Sequence, residues 1–160
     1  MLRRALRLGL LLTAALTVGN CNGSAPTLLE AAGAALNALL AKAPDGVAAC
    51  AGFDDGDKVV DFPPAVTDAL AKTRPAVRPV SRCFVDRQKR LHRTVQNGDP
   101  VPLIACGAAG SLAPPRDRDA LRVECGIHRG PNDAVGWGFQ VRRTFWGSLS
   151  VLDLGQTWRS

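Results

Sequence analysis

Leu29, Ala32, Leu36, Leu39 and Leu40 recur at helical spacing behind the tetrad Thr27-Leu28-Leu29-Glu30, so one face of this segment is apolar. Thr27 suits the N-cap, where its hydroxyl can accept a backbone N–H. Glu30 stands three residues on, where its carboxylate can reach back to the N-cap amide. Pro44 and Asp45-Gly46 end the pattern, and the spacing predicts a helix over residues 27–42. Residues 47–53 are a short apolar run, read as a strand, and Asp54-Asp55-Gly56-Asp57 is read as a turn. Phe62-Pro63-Pro64 leads into a second, shorter helix, with Pro64 in the first turn, where its missing N–H costs nothing. Val66, Ala69 and Leu70 would form its apolar face, and Pro75 closes it.

The second half changes period from 3.6 to 2. Leu91, Arg93 and Val95 oppose Arg90, His92 and Thr94, and Asn97-Gly98 offers a hairpin turn into residues 101–106. Pro100 and Pro102 make that run an edge or irregular strand, because proline cannot donate to a ladder. Residues 108–118, with Gly110 and Pro114-Pro115, read as a surface loop. Leu121, Val123, Cys125 and Ile127 then share one face of a strand, with Arg122, Glu124 and His128 on the other. After Gly130-Pro131-Asn132-Asp133, Val135, Trp137, Phe139 and Val141 alternate with Gly136, Gly138, Gln140 and Arg142. A turn at Gly147-Ser148 leads into a last strand, 149–158. The expected fold is α+β: an N-terminal helix and a short second helix on one face of a twisted antiparallel sheet that ends in a three-strand meander.

Residues 1–20 change the picture of where this fold resides. Arg3, Arg4 and Arg7 precede an apolar stretch, 8–16, that is too short to span a bilayer and is followed by small residues. That arrangement reads as a signal peptide and implies export. Leu16-Thr17-Val18-Gly19-Asn20-Cys21 resembles a bacterial lipoprotein lipobox. The resemblance implies that Cys21 becomes the first mature residue and carries lipid, as palmitate or a similar acyl chain. Residues 21–26 would then be a tether and 27–160 a single domain in the periplasm or on an envelope membrane. Cleavage after Gly19 is the other way to process the leader. Cysteine number favours the lipobox: Cys21, Cys50, Cys83, Cys106 and Cys125 are five, and lipid on the first leaves four that can pair in an oxidising compartment. The expected pairs are Cys50–Cys83 and Cys106–Cys125, neighbours in the order of elements.

Charge narrows the partners. The net charge of +6 falls to about +3 without the leader, too little to imply a nucleic-acid partner. Arg90, His92, Arg93, Arg129, Arg142 and Arg143 could form a basic patch toward anionic lipid or an acidic polymer. The densest acidic group is Asp54, Asp55 and Asp57, oxygen ligands of the kind that hold calcium or magnesium. Against a calcium-binding loop, however, Val59 takes a ligand position and Val60 that of the obligatory glycine. Glu124 and His128 share a strand face and could act as an acid–base couple. Cys125-Gly126-Ile127-His128 is a fragment of a zinc motif that lacks its second close pair. No nucleophile elbow or phosphate-cradling loop is present, and no cofactor is implied. Phe145-Trp146 cannot both face inward on a strand, so one is expected at the surface. The sequence thus points to a lipid-anchored envelope protein with a binding or structural role. The alternatives are a small periplasmic hydrolase or metal-dependent enzyme using the acidic, Glu124 and His128 side chains, and an inhibitor-like domain.

Overall fold

The fold is described from a computed structural model, which covers residues 24–85, 94–96, 99–110, 112, 113, 115, 117–130 and 132–160. The leader, Cys21, and the segment holding Arg90, Leu91, His92 and Arg93 lie outside the described residues. Among the described residues, two α-helices, α1 (Leu28–Leu40) and α2 (Pro64–Thr73), and one short 3-10 helix (Val80–Arg82) accompany ten strands. These are β1 (Ala49–Asp54), β2 (Val59–Val60), β3 (Val77–Pro79), β4 (Phe84–Val85), β5 (Thr94–Gln96), β6 (Asp99–Val101), β7 (Leu103–Ala108), β8 (Ala120–Gly130), β9 (Asp133–Arg143) and β10 (Leu149–Arg159). The main sheet runs β10-β9-β8-β7-β1-β2, with β3 also beside β1, while β4, β5 and β6 form a small separate sheet. It is an α+β fold whose last three strands are an antiparallel meander, as the period-two pattern predicts.

One face of the main sheet carries α1. Ala51 and Phe53 of β1, Ile104 and Cys106 of β7, Val123 and Cys125 of β8, and Phe139 and Val141 of β9 meet Ala31, Ala32, Ala35, Leu36, Leu39 and Leu40 in one cluster. The alanines matter here. They let the helix axis approach the sheet, so a core poor in aromatics can pack closely beneath α1. Val66 of α2 reaches Gly33 of α1, where an added Cβ would come within 3.1 Å, so the two helices abut on the same face.

The start of α1 is fixed as the sequence suggests. The Glu30 backbone N–H donates to Thr27 Oγ1 at 3.2 Å, and the Thr27 backbone N–H donates to Glu30 Oε2 at 2.8 Å. The same carboxylate takes a forked pair of 2.9 Å bonds from Arg143 at the end of β9. The Thr27 backbone N–H, then the Arg143 guanidinium, hold the Glu30 carboxyl at about 2 instead of its ordinary 4.5. The folded value lies below the unfolded one. Its contribution is therefore present above about pH 4.5 and lost as pH falls toward 2. Glu30→Gln is accordingly expected to unfold more readily than the parent above about pH 4.5, with the two denaturation midpoints converging as pH falls toward 2.

Both disulfides join the expected partners. Cys106 and Cys125 stand directly opposite in the β7–β8 ladder, with Cα atoms 4.0 Å apart, and Cys50 and Cys83 lie 6.4 Å apart. Four local expectations are corrected. Residues 101–106 are not one edge strand: the chain breaks at Pro102, β6 joins the small sheet, and β7 runs between β1 and β8 in the interior. Both prolines precede Leu103, so every N–H from Leu103 to Ala108 can still donate. The sheet is not wholly antiparallel, since β1 pairs in parallel with β7 and β3 across long connections. Ala69 is exposed, while Leu70 is buried and Val66 and Thr67 are half-buried on the inner side of α2. Phe145 and Trp146 are both exposed, because β9 ends at Arg143 and they sit in the turn instead of a strand. Gln96 pairs with Asp99 between β5 and β6, while the expected turn residues Asn97 and Gly98 lie outside the described residues.

Candidate functional site

The polar candidates fall on the sheet face away from α1 and at its edge. In the acidic turn, Asp54 Oδ1 accepts the Gly56 N–H at 2.9 Å, and Asp55 Oδ1 accepts the N–H groups of Asp57 and Lys58 at 3.0 and 2.9 Å. The Lys58 and Asp57 backbone donors hold the Asp55 carboxyl below the usual carboxylate range. These carboxylates therefore shape a turn, as aspartate does on its own account. Asp54 and Glu124 share one cross-strand row, separated by Gly107, about 10 Å apart from strand spacing alone. Among the described residues, no three of His, Cys, Asp and Glu come together as a metal site. Cys125 faces α1 in its disulfide and His128 lies on the opposite face, which separates the two ends of the zinc-like fragment.

Glu124 and His128 do share a face, with Trp158 of β10 reaching both. The indole N–H donates to Glu124 Oε1 at 2.6 Å, and the Trp158 and His128 rings lie 6.1 Å apart by their centroids. The ring fits because its neighbours are glycines. A Cβ on Gly136 would fall 2.2 Å from the indole nitrogen, and one on Gly126 would be 3.5 Å from the ring edge. Trp158 thus fills a trough in the sheet, and Glu124 satisfies its one donor.

A cavity of about 310 Å³ opens at the other end of the core, beside the C-terminus of α1. That volume is near the lower end for sites that hold small molecules. Leu39, Leu40, Val47, Ile104, Ile127 and Trp137 supply most of its wall, and the two charged side chains among the described residues that line it are Lys42 and Arg129. Local chain geometry makes the opening. The last turn of α1 tightens as the Lys42 and Ala43 N–H groups bond Leu39 and Leu40 carbonyls. Gly46 then adopts a φ of +82°, which directs the chain away toward Val47. Arg74, at the end of α2, holds this lip by bonding the Ala43 and Pro44 carbonyls at 3.4 Å and pairing with Asp45 at 2.6 Å. At the rim, the Lys42 ammonium lies 4.6 Å from the Trp137 ring centroid and also pairs with Asp153. Arg129 pairs with Asp133 at 3.5 Å. Both cations are partly exposed, so a ligand group at the mouth can reach them.

No protein-family description, curated protein or solved structure matches this chain. The cavity is not legible in the sequence because its lining comes from α1, the following loop, β1, the β6–β7 junction, β7, β8 and β9. The one sequence signal is a pair of cations, Lys42 and Arg129, at the ends of apolar runs. Arg142 and Arg143 part company. Arg142 is exposed, whereas Arg143 is engaged with Glu30, Ser24 and Gly147.

Proposed function

We propose that this chain is an exported envelope protein, anchored by lipid on Cys21, that binds small apolar acids in the cavity at the end of α1. The observation that carries the binding role is the composition of the cavity: an apolar wall whose charged side chains, Lys42 and Arg129, are both cationic, each partly exposed and shared with one surface carboxylate, Asp153 and Asp133. An apolar body gains by leaving water, and a carboxylate at the mouth meets donors of opposite charge. The leader motivates export, and two disulfides suit an oxidising compartment. In this reading Asp54, Asp55, Asp57, Glu124 and His128 serve the turn and the seat of Trp158.

Straight-chain carboxylates measured by titration calorimetry test it. Each buried methylene contributes about 0.8 kcal/mol, so octanoate is expected to bind on the order of tenfold tighter than hexanoate. Lys42→Ala and Arg129→Ala are each expected to weaken octanoate by about tenfold, the magnitude of one charge-assisted contact at a partly exposed site. Affinity that ignores chain length, or that survives loss of both cations, is incompatible with the proposal.

A further inference from the structure

The β9–β10 turn carries two large aromatic side chains that the fold leaves outside: Phe145 is 71% exposed and Trp146 88%. Their rings meet edge to face, 5.3 Å between centroids, with no core beneath them. The backbone under them is closely fixed. Thr144 N–H donates to the Ser148 carbonyl at 2.7 Å, Gly147 N–H to Thr144 at 2.9 Å, and Gly147 has a φ of +82°. Arg143 ties the base of the turn through the Gly147 carbonyl at 3.1 Å. Two aromatics at the summit of a braced turn form a small apolar wedge, of the kind that suits the boundary between headgroups and acyl chains.

A second observation says what the wedge faces. The Arg143 guanidinium Nε donates to the Ser24 carbonyl at 3.2 Å, so the beginning of the described chain lies at the base of this turn. Cys21 is three residues before Ser24, and three trans peptide links span at most about 11 Å between Cα atoms. The cysteine read as the lipid carrier is therefore confined to the neighbourhood of the wedge. We infer that Phe145 and Trp146 insert into the surface of the membrane that holds the lipid on Cys21, a second contact that orients the domain. This rests on the anchor reading above. Arg142 is exposed nearby, but Asp117 and Asp119 stand at the same end, beside Ala120, which pairs with Arg142. The contact is therefore one of apolar rings with a lipid surface and does not depend on anionic lipid.

The test uses the full chain, purified from membranes and reconstituted into phosphatidylcholine vesicles whose acyl chains carry bromine, a contact quencher of tryptophan. Intact mass of the same sample reports acylation. Trp137 is six residues from Arg143 along β9, about 20 Å from the turn, and quenching is therefore assigned by comparison with Trp146→Ala. Parent protein is expected to lose a fraction of its emission that Trp146→Ala does not lose, at least a twofold difference. Phe145→Ala is expected to reduce the fraction while leaving Trp137 and Trp158 emission unchanged. Equal quenching of parent and Trp146→Ala, with acyl chains present, overturns the wedge and leaves the anchor standing. If the mass shows no acyl chain, the anchor reading fails by itself. Quenching of protein added to vesicles then still supports the wedge, and its absence overturns it. A dimer that Trp146→Ala abolishes, without quenching, overturns the proposal in favour of a second copy as the occupant.

Discussion

Cys106→Ala/Cys125→Ala is expected to lower the unfolding free energy by about 3 kcal/mol or more, read from chemical denaturation of the oxidised proteins. The bridge closes a sequence separation of 19, and loop-closure entropy in the unfolded chain alone accounts for about that amount. Both sulfurs also sit in the core, fully buried between α1 and the β7–β8 ladder, so truncation adds a small void. Domains of this size have about 5–15 kcal/mol in all. The Cys50–Cys83 bridge has a separation of 33, and the same dependence makes its loss slightly larger. An unfolding free energy within about 0.5 kcal/mol of the parent would mean that the unfolded chain gains little freedom when the bridge is removed.

Gly136→Val is expected to destabilise by about 2–4 kcal/mol, although valine is the better strand former. The two considerations have opposite sign, and the contact distances decide between them. The new Cβ would lie 2.2 Å from the Trp158 indole nitrogen and 2.4 Å from the adjoining ring carbon. β9 is laddered on both sides, by β8 and β10, so its backbone cannot retreat without breaking two sets of hydrogen bonds. The indole must leave, giving up its 2.6 Å bond to Glu124 and its cover over Gly126. Trp158 is only half-buried, which places the cost toward the lower part of the range for deleting a large side chain. Combining Gly136→Val with Trp158→Ala should cost at least 1 kcal/mol less than the two changes summed, because the clash needs both partners. A stabilised Gly136→Val protein would show that strand propensity outweighs the seat of the indole.

How far these features were legible depends on how local their causes are. The capping box at Thr27 and Glu30 and the alternation from Leu121 to Val141 are written in neighbouring residues and appear as expected. The cysteine pairs follow from element order and from the need to leave no thiol over. The parallel β1–β7 ladder has no local signature, since its partners are about fifty residues apart and only burial of both faces demands it. Gly136 and Gly138 look in the sequence like the bland side of an amphipathic strand. Their purpose is visible only once Trp158 and Thr157 come to lie across them from β10. That approach in turn depends on register shifts at Asp153/Gly155 and Gln156/Trp158. Glu124 reads in the sequence as a possible acid or base, and the fold gives it an indole to hold.

α1 also sets a height. Its 13 residues rise about 20 Å from Thr27, beside Ser24 and the aromatic turn, to Lys42 at the lip of the cavity. If the first of those ends rests on lipid with the α1 axis upright, the other stands clear of the headgroup layer, in the aqueous gap. On the binding role proposed above, a ligand would then arrive already dissolved, or handed over by another soluble carrier, and would not be drawn sideways out of the bilayer.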